Sequence, residues 1–217
     1  VPLKKLEEYQ TFEEFYDGYK ALLDYYLDLS VKAQYHSYEV MNQHVSFLFS
    51  SLLTDDCIAR GKALLDGGVR YLGGTNETYG NINTSDSLWV IRDLVFNQKK
   101  YTLRQLNDAM LANFNGYEAL RKDCLNCDKY GNDLETADTM ANDLYEFVAK
   151  GVRDRGIAIG MQYFLIVISN NQLNTEWGNR TAASPDGRLS CMYMNPANNP
   201  QGGANKSGPT AMLNSLA

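Results

Sequence analysis

Apolar and polar positions alternate along this chain in a way that makes its first half helical and its second half more extended. Thr11 followed by Glu14 is the pattern of a capping box, in which a hydroxyl and a carboxylate satisfy backbone N–H groups left free at a helix start. Apolar residues then recur at Phe12, Phe15, Tyr16, Tyr19, Leu22, Leu23, Tyr26 and Leu27, the spacing of one helix face. A second helical stretch is expected from about 31 to 65, closed by Gly67 and Gly68 as a helix C-terminus would be. Thr84, Ser85 or Asp86 can cap a helix through LWVIRDLVF. Thr102 with Gln105 makes another capping box, ahead of LNDAMLANF, and GYEALRKDCL continues as helix. Ala137, Met140, Ala141, Leu144, Phe147 and Val148 form a further stripe, closed by Gly151. At 157 the character changes: IAIGMQYFLIVIS is β-branched and aromatic, as expected of a buried strand. Loops rich in Asn, Gly and Pro follow. GPTAMLNSLA reads as a short helix in which the chain stops without a capping signal, so a piece of something longer is expected.

Residues 66–88, DGGVRYLGGTNETYGNINTSDSL, interrupt this pattern. They carry five glycines and a cluster of Asn, Thr and Ser, with few side chains able to build a core. A solvated loop would explain them, and so would a place where backbones approach closely.

Composition narrows the choices. The 217 residues are 44% hydrophobic and 12% aromatic, enough for a substantial core. The net charge is −6; residues 151–217 hold five basic and three acidic side chains, leaving −8 on the rest. No basic face for nucleic acid is expected from that balance. The N-terminus lacks the apolar stretch of a signal peptide, and IAIGMQYFLIVI is too short to span a bilayer. Four cysteines in such a chain suggest a reducing, cytoplasmic setting. Cys124 and Cys127 form a C-x-x-C at the end of a helical stretch without a second ligand pair, so incidental thiols are expected. His36 and His44 have no third ligand nearby, and no metal site is expected. NET, NTS, NRT and NKS match the N-glycosylation pattern at Asn76, Asn83, Asn179 and Asn205, and without a secretion signal mark only an Asn-rich chain. No phosphate-binding glycine loop or nucleophile elbow is present.

Two local patterns carry candidate chemistry. In SNNQLNTEWG, Asn170, Gln172 and Asn174 alternate at period two, which on a strand puts three amides on one face, able to hydrogen-bond hydroxyls or carboxylates. In SPDGR, Pro185 presets φ, Asp186 can bond back to the backbone, Gly187 tolerates positive φ, and Arg188 can pin the loop through a carboxylate or carbonyls. The turn is expected to be structural, not catalytic.

Several stretches together resemble the glycyl radical enzymes, the pyruvate formate-lyase and glycerol dehydratase superfamily. SSLLTDDCIARGKALLDGGVRY (50–71) is similar to a D-x-C-I-x-x-G segment before a Gly-Gly-x-x-Tyr strand. GNINTSDSLWVIRDLVF (80–96) resembles a strand–loop–helix with D-S-L, and NFNGYEALR, KYGND (129–133), SPDGR (184–188) and KSGPTAMLNSLA (206–217) follow in family order. The resemblance covers roughly residues 10–217. It implies an α/β fold: the mostly helical portion of a ten-stranded α/β barrel, half-barrel strands with outer helices. Residues 1–217 are then a single fragment of the catalytic domain, 1–65 helical, 66–155 strand, loop and helices, and 156–217 a barrel strand, the SPDGR turn and the start of a closing helix.

It further implies thiyl radical chemistry on a small hydroxylated substrate in the intact enzyme. The glycyl radical would be installed by a radical-SAM activating enzyme, with the rest of the parent chain and a second copy in a homodimer as further partners. The family's G-C loop and its R-V-x-G-Y loop are both absent here, so the resemblance places no catalytic residue in this chain and implies an inactive fragment. By the same resemblance the strand before SPDGR lines the substrate pocket, with Asn170, Gln172 and Asn174, and Asn81 and Asn83 lie beside it. GPTA and the ungapped SPDGR look more like the dehydratase branch than the formate acetyltransferase, whose acyl lyase chemistry is the alternative. A non-catalytic helical scaffold or partner-binding module is the alternative of another class.

Overall fold

The computed structural model describes residues 1–161, 163–168 and 172–217. Helices dominate: α1 (Phe12–His44), α2 (Leu48–Leu53), α3 (Cys57–Arg60), α4 (Asn81–Val90), α5 (Leu103–Leu111), α6 (Glu118–Asn126), α7 (Glu135–Ala158), α8 (Leu173–Gly178) and α9 (Gly208–Leu216). Among the described residues, two strands, β1 (Gly73–Thr78) and β2 (Tyr163–Ile168), pair in a two-stranded sheet. The chain divides into two compact units. One holds Val1–Lys20, Glu77–Glu146 and Ile168–Ala217, and the other holds Ala21–Asn76 and Phe147–Val167.

Capping chemistry is readable at two helix starts. The Thr11 hydroxyl accepts from the Glu14 N–H at 3.2 Å, while the Glu14 carboxylate reaches the Gln10 N–H at 3.0 Å. At α5 the box closes fully: Gln105 N donates to the Thr102 hydroxyl at 3.1 Å, and Thr102 N donates to the Gln105 side chain at 2.9 Å.

Several expected boundaries move. There is no break near residue 30; α1 runs on to His44, because DLSVKAQ contains no breaker and Ser30 turns its hydroxyl outward to Asn76 at 2.8 Å. The stretch to 65 is then short pieces, since Ser46, Phe47 and Asp56 adopt left-handed backbone angles that no helix continues. The strand expected at 67–71 lies instead at Gly73–Thr78. GYEALRKDCL is a separate helix after a turn, not a continuation of α5. Gly151 does not stop α7: a Cβ there would lie 2.8 Å from Leu27 Cδ1, so the glycine serves helix–helix packing rather than termination. The apolar run from 157 is a strand only over 163–168; Ile157 and Ala158 finish α7, and Met161 N closes the reversal on Gly156 O at 2.9 Å. An apolar run alone does not separate a buried helix end from a strand.

The first unit's core is built on Leu88, Val90, Leu94, Leu106, Ala109, Phe114 and Met140, with Ile82, Tyr130 and Ala141 as one contiguous cluster. In the second unit, Leu27, Val31, Val148, Val152 and Met161 are buried, and Gly74 of β1 admits the Phe164 ring, 2.8 Å from where a Cβ would stand.

Candidate functional site

The Asn/Thr/Ser cluster is strand up to Thr78 and helix from Asn81, not solvated loop, and the helix starts earlier than a cap at Thr84, Ser85 or Asp86 would allow. Gly80, at φ +69, is the N-cap, and α4 begins at Asn81. Its hydroxyls bond back along the helix: Thr84 to Gly80 O at 2.8 Å, Ser85 to Ile82 O at 3.0 Å and Ser87 to Asn83 O at 2.6 Å. Each hydroxyl donor is thereby satisfied within the helix, which lets a small polar face pack into the interior. Asn83, Ser85, Asp86 and Ser87 are all buried.

Asn83 is the hub. Its side-chain N–H₂ donates to Asp186 Oδ2 at 2.6 Å and to Gln201 Oε1 at 3.1 Å; its Oδ1 accepts from Asn195 N at 2.7 Å, and its own N–H donates to Asn195 Oδ1 at 3.2 Å. Asn81 lies one step out, donating to Asn198 Oδ1 at 2.9 Å and accepting from Asn195 at 3.3 Å. Asp186 also accepts from the Ser184 hydroxyl at 2.6 Å and from Arg188 N at 3.2 Å, and its N–H reaches Ser87 Oγ. Ser184 to Gly187 is a closed turn, Gly187 N to Ser184 O at 3.0 Å, with Pro185 second and Gly187 at φ +95. The Arg188 guanidinium chooses carbonyls over a carboxylate, those of Leu189, Met192 and Ala182. Burial pushes its pKa down from the usual arginine value.

Beside this network lies a cavity of about 280 Å³ whose walls mix rings and hydroxyls, among them Tyr19, Asn83, Ser87, Leu88, Ser184 and Met194. Burial raises the Tyr19 phenol, which keeps it neutral. The same wall carries one cation, the Arg188 guanidinium.

Gln172 and Asn174 do not share a strand face. Asn170 lies outside the described residues. Gln172 is the N-cap of α8 and exposed, and Asn174 is inside that helix and buried, its amide donating to Met194 O at 2.9 Å. At helical period, residues two apart diverge. Asn195, Gln201, Asp86 and Lys129 belong to the polar interior and no local pattern singles them out; only KYGND and the D-S-L triplet touch them in sequence.

Asp86 accepts from Tyr130 N at 2.9 Å through Oδ1, while Oδ2 is buried without a partner. Its carboxyl is pushed up to about 7, by burial first and then by Asp186 and Asp138, against the pull of Lys129 and of the Tyr130 N–H. The cysteines show no reacting geometry. Cys57 and Cys124 are buried, and burial raises the Cys124 thiol to about 12 and the Cys127 thiol to about 11. Among the described residues no His/Cys/Asp/Glu group could hold a metal ion, and no helix is long and apolar enough to cross a membrane.

Comparison with known proteins fits this picture. The chain is 30% identical over 210 residues to trans-4-hydroxy-L-proline dehydratase of Clostridioides difficile, across 96% of its own length and 26% of the relative's. The glycerol-bound B12-independent glycerol dehydratase of Clostridium butyricum superposes with a TM-score of 0.91 at 28% identity, over 98% of this chain and 27% of that one. A Roseburia inulinivorans structure of 1,2-propanediol dehydration gives 0.91 at 29% identity, over 98% and 28%. The chain thus spans about a quarter of the length of the curated relatives it matches. The model for "Pyruvate formate lyase-like" proteins matches residues 1–173, and the chain belongs to that family of glycyl radical enzymes.

Proposed function

We propose that this sequence is part of the catalytic domain of a glycyl radical dehydratase or lyase that acts on a small hydroxylated substrate. The observation that carries the reading is the end-to-end match of this chain to dehydratases whose names specify hydroxyproline, glycerol and 1,2-propanediol. The hydroxyls in the wall of the cavity beside Asn83 support the same substrate class. In that role β2 is a strand of the ten-stranded barrel and Asn83 lines the space next to the substrate. Asn81 and Asn174 brace the surrounding backbone through Asn198, Asn195 and Met194. Gln172, at the start of α8, belongs to the pocket edge. Residues 1–217 then form one fragment. The working protein is a cytoplasmic homodimer activated by a radical-SAM enzyme.

A glycyl radical supplies hydrogen abstraction in these enzymes, but the sequence holds neither the glycyl loop nor the cysteine loop, and none of its cysteines fits that role. No radical step is therefore derived for this chain. Its own residues shape and hold the walls through the hydrogen bonds of Asn83, Ser184 and Asp186.

The test has two arms. Incubated with a radical-SAM activating enzyme, the 217-residue chain gives no glycyl doublet by electron paramagnetic resonance. Read in frame, its coding sequence is flanked by G-C-x-x-E upstream and R-V-x-G-Y downstream, and the joined protein dehydrates a vicinal diol. A doublet from the chain alone, or formate and acetyl transfer without dehydration by the joined protein, overturns the reading.

A further inference from the structure

A second cleft, of about 340 Å³, lies in the first unit and shares Arg188 with the cavity at Tyr19. Five cationic side chains line it: Arg121 and Lys122 of α6, Lys129, Arg188 and Lys206. They come from four separate stretches of a chain whose net charge is −6, so the excess is local and not a by-product of a basic sequence. None of the five takes part in an ion pair among the described residues, whereas Lys4, Lys20, Lys32, Arg60, Arg70, Arg92, Lys100, Arg104, Lys150, Arg153 and Arg155 all do.

Carbonyls hold Lys129 and Arg121, and Arg188 adds the Ser184 hydroxyl at 3.2 Å to its three carbonyls. The Lys129 ammonium donates to Cys124 O at 2.6 Å and Cys127 O at 3.4 Å, and Arg121 Nε donates to Gly187 O at 2.9 Å. Carbonyls orient these groups without cancelling their charge. Lys122 and Lys206 are exposed. Only two carboxylates, Asp86 and Asp186, join the lining. Asp186 spends its oxygens on Asn83, Ser184 and the Arg188 N–H. Asp86 alone contributes an orphan: its Oδ2 is buried and has no hydrogen-bond partner. A concave site with five cations against two carboxylates focuses potential on an anion. A carboxylate oxygen in the same wall repels an anion made of bare acceptors and accepts a hydrogen bond from one that carries its own O–H.

We propose that this cleft binds a small phosphoryl oxyanion bearing a hydroxyl donor, with Lys122, Lys206 and Arg121 contacting the phosphoryl oxygens and Asp86 taking the hydroxyl. The chemistry is shared by hydrogen phosphate and by the phosphate ester of a small polyol.

The test measures thermal unfolding of the chain at pH 8 against inorganic phosphate, glycerol 2-phosphate and sulfate, with chloride holding ionic strength constant. Phosphate or the ester raises the midpoint saturably, and sulfate does not; whichever of the two saturates at the lower concentration names the source. Lys122→Ala with Lys206→Ala, both on exposed side chains, shifts half-saturation to at least tenfold higher concentration. Lys5→Ala with Lys62→Ala removes the same charge elsewhere and leaves it in place. Equal midpoints in phosphate, sulfate and chloride, or a phosphate response that survives the Lys122/Lys206 change, overturns the proposal.

Discussion

Asp86 and Asp186 are two carboxylates of one interior with opposite settings. Asp186 accepts three hydrogen bonds and sits among groups that need it. Removing it as Asp186→Ala leaves Asn83, Ser184 and the Arg188 backbone short of an acceptor, and the expected loss is about 3 kcal/mol in urea unfolding. Asp86 is instead buried with one free oxygen, and its carboxyl stands at about 7 against an ordinary 3.8. A carboxyl raised in the folded state binds its proton more tightly there than in the unfolded chain. Its contribution is fully favourable below the unfolded value and declines as pH rises toward 7. Asp138, which faces the same interior, is raised as well, so the two act in one direction. Asp86→Asn removes this pH dependence, and the stability difference between variant and parent grows in the variant's favour from pH 5 to pH 8. A difference that is the same at both pH values would show that Asp86 is ionised throughout.

At the level of elements, two joints stand out for how directly sequence controls them. The Thr102 cap of α5 satisfies two free N–H groups in an exposed position, and Thr102→Ala is expected to cost about 1 kcal/mol. Gly178, at the end of α8, packs against backbone: a Cβ there would come within 2.4 Å of Met192 O and 2.7 Å of Tyr193 Cα. The same junction is stitched by Met194 N to Asn174 O at 3.2 Å and by the Asn174 amide to Met194 O. Neither neighbour can rotate away, so Gly178→Ala costs about 2–3 kcal/mol although alanine is ordinarily the better helix residue. Thermal unfolding of both variants separates the effects: a small drop for the cap, a large one for the packed glycine. The capping box was legible because its partners are three residues apart. The Gly178 contact was not, since its partner backbone lies fourteen residues on and nothing local announces it.

Across the whole molecule, apolar surface is unevenly hidden. In the second unit Leu48, Phe49, Leu52, Leu53 and Ile58 are each more than three-fifths exposed. A run of this kind on a folded chain marks a surface that takes a partner. The isolated chain is expected to self-associate with rising concentration, and Phe49→Ser with Leu53→Lys to shift it toward monomer in light scattering after size exclusion. A parent chain that stays monomeric at high concentration would show that this face is covered by its own residues in solution.

Sequence by itself determined the helical character, the α5 cap, the SPDGR turn and the family, because each rests on short-range spacing or on motifs that keep their order along the chain. It also marked the Asn/Thr/Ser stretch as unusual. Only the tertiary structure decided that the second half of this stretch is a buried helix, that Gly151 packs rather than stops, and that Gln172 and Asn174 sit in a helical turn. Periodicity states which residues share a face, not what that face meets. Asn83 meets Asp186, Asn195 and Gln201 from more than a hundred residues away, and the five cations of the cleft converge from four stretches. Such partners are chosen by long-range packing, which no local pattern encodes.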